Sequence, residues 1–467
     1  MEINPHTAGV MVALMSYPGH AKAVAVLGLP LIGGHLAQYA INLTDTVMLG
    51  WYGVEALAAV TLAGSFFFMI FLLGSGFSFA VMPMVAAFVA KEDEISIRRV
   101  TRMGLWLSLG FALLVMPLMI WSGDILQLLG QSEALAGQAG QYLQVAGWGM
   151  IPALLVMVLK SYLAALERTQ IVLWITVFSA ITNGLANYAL IFGNWGAPEM
   201  GIMGAAVASV LSNMLSLVAI AVYVAKVEPE HAMFQRFWRP DWEMLARVFR
   251  LGLPAGLTTL SEASLFAASA MMMGWLGTIP LAAHGIVIAV SGASFMVHLG
   301  LGNVATIRAG HAYGRQDRVH MARGAVVVIG LSGLMAFATI LLFLLAPVPI
   351  MSLFMDAADP ARADILAVGV GLFVVAALFQ VVDGAQAMAL GLLRGVQDTG
   401  VPMVMAALSY WAVGIPTSYL LGFVFGLGGI GIWLGLSVGL ALAGILLMTR
   451  FWRGAITRVG RVDQRDG

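Results

Sequence analysis

The chain has 467 residues, of which 61% are hydrophobic and only 10% charged, and its basic and acidic side chains balance to a formal net charge of zero. A soluble domain carries about a quarter charged residues, so this composition excludes a water-facing surface over most of the chain, and the neutral balance excludes a nucleic-acid partner. Cysteine is absent, which excludes disulfides, thiolate metal sites and cysteine nucleophiles.

In chain order, Met1 to Lys22 lacks a short apolar core ending at a small-residue cleavage site, so no removable signal peptide is expected. A spanning helix needs about 20 mainly apolar residues. The charge-poor stretches predict twelve spans, at 24–50, 57–81, 101–121, 138–160, 171–193, 201–226, 249–275, 281–306, 322–351, 365–391, 401–424 and 429–451. The organisation read from them is an N-terminal segment (1–23), a six-helix lobe (24–226), a linker (227–248), a second six-helix lobe (249–451) and a tail (452–467). The linker carries Pro229 and Pro240, and Asp241 to Arg250 reads equally as a short interfacial helix or a solvated connector. With these spans, every Lys and Arg except Arg362 falls on one side, which the excess of basic residues in cytoplasmic loops marks as the cytoplasm. Both termini are expected there, in a multi-pass protein of the cell inner membrane.

The segment Leu27-Gly28-Leu29-Pro30 returns as Leu251-Gly252-Leu253-Pro254, 224 residues on; Gly50-Trp51 and Gly53 return as Gly274-Trp275 and Gly277. Leu57-Ala58-Ala59 matches Leu281-Ala282-Ala283, and Gly201-Ile202 with Ser209-Val210 finds Gly429-Ile430 with Ser437-Val438. Two parallel six-helix halves should be related by an axis along the membrane normal, with a cavity between them. The fold class is therefore an all-α integral membrane protein. Pro30 and Pro254 recur at matching positions and read as hinges or as kinks tolerated by packing.

Asp45, Glu262 and Asp383 fall within spans, where a carboxylate costs about 2.5–3.5 kcal/mol on the insertion scale. No Lys or Arg occupies the middle of a span, so each acid is expected to be protonated, hydrated or bound to a mobile cation. In the first span His35, Gln38, Asn42 and Asp45 share one helical stripe; in the fifth, Thr176, Ser179, Asn183 and Asn187 do so. In the seventh Thr258, Glu262 and Ser269 share a face, and in the tenth Gln380, Asp383 and Gln386 sweep an arc. Under the repeat Glu262 corresponds to Gln38 and Asp45 to Ser269, so each half keeps an acid on the same face about two turns apart, and two unequal sites follow. Structural readings stand beside these: Asp45 locking helices through Asn187 or Asn183, a carboxyl pair between Glu262 and Asp383, and His35 and His298 as satisfied core residues. No zinc-protease, phosphate-loop or dinucleotide motif is present, so an enzyme is not expected.

The chain resembles the multidrug and toxic compound extrusion (MATE) family, in its NorM-like bacterial branch, on Pro30 with Asp45, Asn183 with Asn187, Leu253-Pro254 with Glu262, and Asp383. The resemblance implies an antiporter that exchanges Na+ or H+ for bulky, often cationic molecules by alternating access. It places the cation site, Na+ included, on Glu262 and Asp383, and a proton or substrate role on Asp45. Around these, Gln38, Asn42, Asn183, Asn187, Thr258 and Gln380 are the candidate proton- or substrate-binding residues. Two positions depart from the pattern: Asn187 stands where one branch has Asp, and Phe379 where NorM-like relatives have Tyr. No cofactor beyond the coupling ion is expected, and the partners are small molecules and the bilayer, with one chain acting alone. The alternative is a flippase for lipid-linked precursors, which would call for Arg or Lys inside the cavity; an intramembrane enzyme would need acids brought together across the halves.

Overall fold

The structure is a computed structural model that describes residues 15–356 and 360–460; of the expected terminal segments, 1–23 and 452–467, residues 1–14 and 461–467 lie outside them. Twelve long helices follow one another: α1 (Tyr17–Tyr52), α2 (Val54–Val89), α3 (Glu94–Ile120), α4 (Glu133–Ala165), α5 (Thr169–Phe192), α6 (Ile202–Val227), α7 (Trp242–Leu276), α8 (Thr278–Gly314), α9 (Arg318–Leu345), α10 (Arg362–Gly395), α11 (Gly400–Val424) and α12 (Gly428–Arg458). Among the described residues, eleven of these are long and apolar enough to cross a membrane. The exception is α7, which is long enough at 35 residues but carries Thr258, Thr259, Ser261, Glu262 and Ser264 in one run. Most helices outrun their apolar stretches. The 241–250 segment, left open by the sequence, is the start of α7, with Asp241 as its N-cap accepting from the Met244 amide at 3.1 Å.

The internal repeat is visible in the backbone. Asp93 and Asp317 cap α3 and α9, accepting from the amides of Ser96 (3.0 Å) and His320 (2.9 Å). Each follows a left-handed residue, Glu92 (φ 57°) and Gln316 (φ 55°), and the turns after α4 and α10 repeat the device at Glu167 (φ 62°) and Gln397 (φ 60°). Neighbours repeat as well: α1 packs on α5, α2 on α4 and α4 on α6, as α7 packs on α11, α8 on α10 and α10 on α12. The contacts of α1 with α8 and of α7 with α2 join the halves and exchange under the same relation.

Backbone meets backbone across this seam. A Cβ on Gly76 of α2 would lie 2.2 Å from the Gly252 carbonyl oxygen of α7, and one on Gly314 of α8 would lie 2.2 Å from the Ala87 oxygen of α2. Glycine permits the approach that packing-driven association in lipid requires. These contacts lie at the basic end of the bundle, where Arg308 donates to His20 (2.7 Å) and His320 (3.2 Å), Arg99 pairs with Asp241 (2.5 Å), and His311 lies 3.4 Å from Glu167. Arg394 stacks over the Phe79 ring at 4.6 Å and Arg247 over Phe88 at 5.7 Å. Towards the opposite end, the Tyr39 hydroxyl still reaches the Ala289 carbonyl at 2.9 Å. Beyond it, Gly53, Gly64 and Gly285 have no described atom within 4 Å of a built Cβ. The halves close on each other at the basic end; towards the other, Gln38 and Asn42 are exposed on the face of α1 whose His35 and Tyr39 reach α8, which leaves a cleft between the lobes there.

Candidate functional site

In the second half, Asp383 on α10 is 1% exposed, and neither carboxylate oxygen has a hydrogen-bond partner among the described residues. Glu262 on α7 acts on it electrostatically, and its Oε1 is also buried and unpartnered. Gln380 is fully buried one turn away, with both amide atoms unsatisfied. Gln386 donates to the Tyr410 hydroxyl at 2.7 Å and leaves its own Oε1 free. Tyr410 is within electrostatic reach of both acids. It enters from a wide π turn of α11 (Leu408–Gly414), a distortion that often marks functional sites. A buried charge without donors is costly. Both Asp383 oxygens, Glu262 Oε1, Gln380 Oε1 and Gln386 Oε1 stand buried without a donor, a set of oxygens that suits a proton or a hard cation such as Na+.

Thr258 spends its hydroxyl within α7, donating to the Pro254 carbonyl at 2.8 Å. Phe379 packs edge-on against Phe266 and Trp433, so the tyrosine missing from α10 is replaced by apolar packing, while Tyr410 brings a phenol from another helix. His298 is fully buried, bonds Ser332 through Nδ1 at 3.0 Å, keeps Nε2 unpartnered, and packs against Gly384.

The expectation that no basic residue enters the interior is corrected twice. Arg394 rides on the last turn of α10, where its guanidinium donates to Thr259 (3.4 Å) and acts electrostatically on Glu262. Lys160, also read as part of the basic rim, extends its ammonium to Thr176 of α5 at 2.8 Å. Both helices continue past their apolar windows, and both side chains are long enough to turn inward from there. Asp383, not Glu262, is therefore the acid without a fixed counter-charge.

In the first half Asp45 is half-buried and accepts from Asn187 at 2.5 Å, while the same Asn187 amide donates to Asn183 at 3.1 Å. This is the bond that the helix-locking reading requires. Gln38 and Asn42 are exposed on the α1 face that meets α8, since His35 beside them bonds Asn303 (3.0 Å) and Tyr39 bonds Ala289. They line the cleft and make no bond to Asp45. The candidates therefore fall into two groups, one per half: Asp45 with Asn183 and Asn187, and Glu262 with Asp383 and Gln380. The sequence does not mark Tyr410, Arg394 or Lys160 as site residues. Tyr410 sits where a π turn breaks the 3.6-residue period, and the two bases carried only a topology signal.

The sequence matches the MatE family model over residues 30–189 and 254–420, one block in each half. The chain belongs to the MatE family. A curated relative, "Probable multidrug resistance protein NorM" of Agrobacterium fabrum, is 43% identical over 438 residues, 93% of this chain and 94% of the relative. Its counterpart in Rhizobium meliloti is 42% identical over 440 residues, 94% of each chain. Among solved structures, the eukaryotic MATE transporter AtDTX14 superposes with a TM-score of 0.84 at 19% identity, covering 95% of this chain and 99% of that one. A MATE family transporter in an outward-facing conformation gives 0.85 at 21% identity, covering 95% and 97%. For this MatE protein the likeness extends to the whole arrangement of twelve helices.

Proposed function

We propose that this MatE protein exports drugs and toxic compounds across the cell inner membrane in exchange for Na+ or H+, and that Glu262 and Asp383 carry the coupling ion. The carrying observation is that both Asp383 oxygens and Glu262 Oε1 are buried without a donor. The NorM relatives, named as probable multidrug resistance proteins, support export of drugs, and the buried acids favour bulky, cationic ones. The basic residues at the closed end support an orientation with that end and both termini in the cytoplasm. The conformation is then outward-open, with the cytoplasmic side sealed.

In this reading a cation entering from outside neutralises the carboxylates, and neutralisation favours the state in which drug leaves. Drug arriving from the cytoplasm competes for the acids or for the Asp45 group. One charge moving down 100 mV contributes about 2.3 kcal/mol, which allows some forty- to fifty-fold accumulation per ion. To test this, everted membrane vesicles, whose cytoplasmic face is outward, are given a fluorescent cation outside and energised separately by a Na+ or a pH gradient, and efflux is read as accumulation of the dye in the lumen. Glu262→Gln with Asp383→Asn is expected to abolish gradient-driven efflux. Full efflux in the double variant would remove the coupling role from this pair.

A further inference from the structure

We infer that Lys160, with His35 and Thr176, forms the subsite that takes the carboxylate of a transported molecule that carries one. The inference rests on the export reading.

A lysine five residues before the end of a membrane helix usually snorkels its ammonium out to water. Lys160 does the reverse: its Nζ donates to Thr176 Oγ1 at 2.8 Å, and its charge acts on His35 of α1. The Thr176 hydroxyl already donates to the Val172 carbonyl at 2.9 Å, so it accepts from the lysine, and two further ammonium protons remain to be placed. Among the described residues no carboxylate pairs with Lys160. Of the acids flanking the site, Glu167, nine residues before Thr176, is engaged with His311, and Asp45 is held by Asn187, eleven residues beyond Thr176 and so about 16 Å away along the helix. A positive charge among apolar helices without a counter-ion is costly, and an entering anion would supply what the site lacks.

The site faces the cleft, not lipid. His35 bonds Asn303 of the opposite lobe, and Lys160, His35 and Asn303 are each only half-buried. The first lobe therefore offers a cation donor near the closed end and an acid, Asp45, towards the open end. A long molecule with an amine at one end and a carboxylate at the other matches this polarity.

A matched pair of probes tests the subsite: a rhodamine methyl ester, which is a cation, and the same dye as its free acid, a zwitterion. Efflux of each is measured for wild type, Lys160→Met and Lys160→Arg, and binding of each to the purified proteins is measured by fluorescence polarisation. Wild type is expected to export both dyes. Lys160→Met is expected to lower efflux and affinity for the acid relative to the ester by about tenfold or more, and Lys160→Arg to restore the ratio. An unchanged ratio in Lys160→Met, whatever the absolute rates, overturns the subsite and leaves Lys160 as a tether between α4 and α5. Export of the ester but not the acid by wild type overturns the subsite alone. Export of neither dye overturns the export reading and this inference with it, and a binding ratio indifferent to Lys160→Met removes the subsite independently of export.

Discussion

Asp241 and Asp383 are the same side chain under opposite demands. Asp241 caps α7 through the Met244 amide and pairs with Arg99, whose hydrogen bond holds its carboxyl below the usual aspartate range. A depressed value means the stabilisation is full above the ordinary aspartate range and is lost as pH falls through the lowered one. Asp241→Ala removes both the cap and the pair and is expected to cost about 1–2 kcal/mol, seen as a lower melting temperature in detergent. Asp241→Asn keeps a good cap and is expected to cost clearly less; equal losses would assign the whole effect to the ion pair. Asp383 has neither donor nor cation fixed beside it. Asp383→Asn is therefore expected to hold or raise the melting temperature while stopping gradient-driven efflux, a separation of stability from function. A large drop in melting temperature would instead mark Asp383 as a structural acid.

At the scale of the helix, Gly76 is where α2 and α7 touch backbone to backbone. A Cβ there meets the Gly252 oxygen at 2.2 Å and the Gly256 amide nitrogen at 2.5 Å, neither of which can swing aside. Gly76→Ala is expected to push the lobes apart at the basic end. The chain has no cysteine, so spin labels at Lys91→Cys and Arg315→Cys report it directly, the mean distance lengthening in Gly76→Ala and staying put in Gly64→Ala, where a built Cβ meets nothing within 4 Å. The same element shows what sequence can carry. Span number and the repeat were legible because apolar length and recurring motifs such as Leu27 to Pro30 survive as pattern. The stripes put Asp45 beside Asn187 and Asp383 beside Gln380 because 3.6-residue periodicity fixes faces. Where periodicity fails, legibility fails with it: Tyr410 enters through a π turn, and Arg394 and Lys160 were counted by their position in the chain, although their long side chains point back into the bundle.

For the whole molecule, the basic end must open if the cleft is to face both sides, so the contacts that seal it set the balance between states. Arg394 links the two events, lying over Phe79 of the opposite lobe while acting electrostatically on Glu262 in its own. Under the proposed coupling, a cation that neutralises Glu262 would change the field at the residue that holds the seam, and this would give the ion a physical handle on the closed end. Glu167 supplies a second handle. It faces His311 across the lobes at 3.4 Å, with Arg308 and Arg315 also acting on it, and the His311 hydrogen bond, as the leading cause, holds its carboxyl below the usual glutamate range. A lowered value in the closed state means closure is favoured above the ordinary glutamate range and weakens as pH falls through the lowered one. Glu167 is half exposed, so the effect is a modest shift of population, screened by salt. The Lys91/Arg315 label pair is therefore expected to report a growing open fraction as the medium is acidified below the glutamate range. Glu167→Gln is expected to start from a more open distribution at neutral pH and to lose that acid-dependent step. An identical titration in the variant would assign the pH response to other groups at the seam and leave Glu167 without a role in the latch.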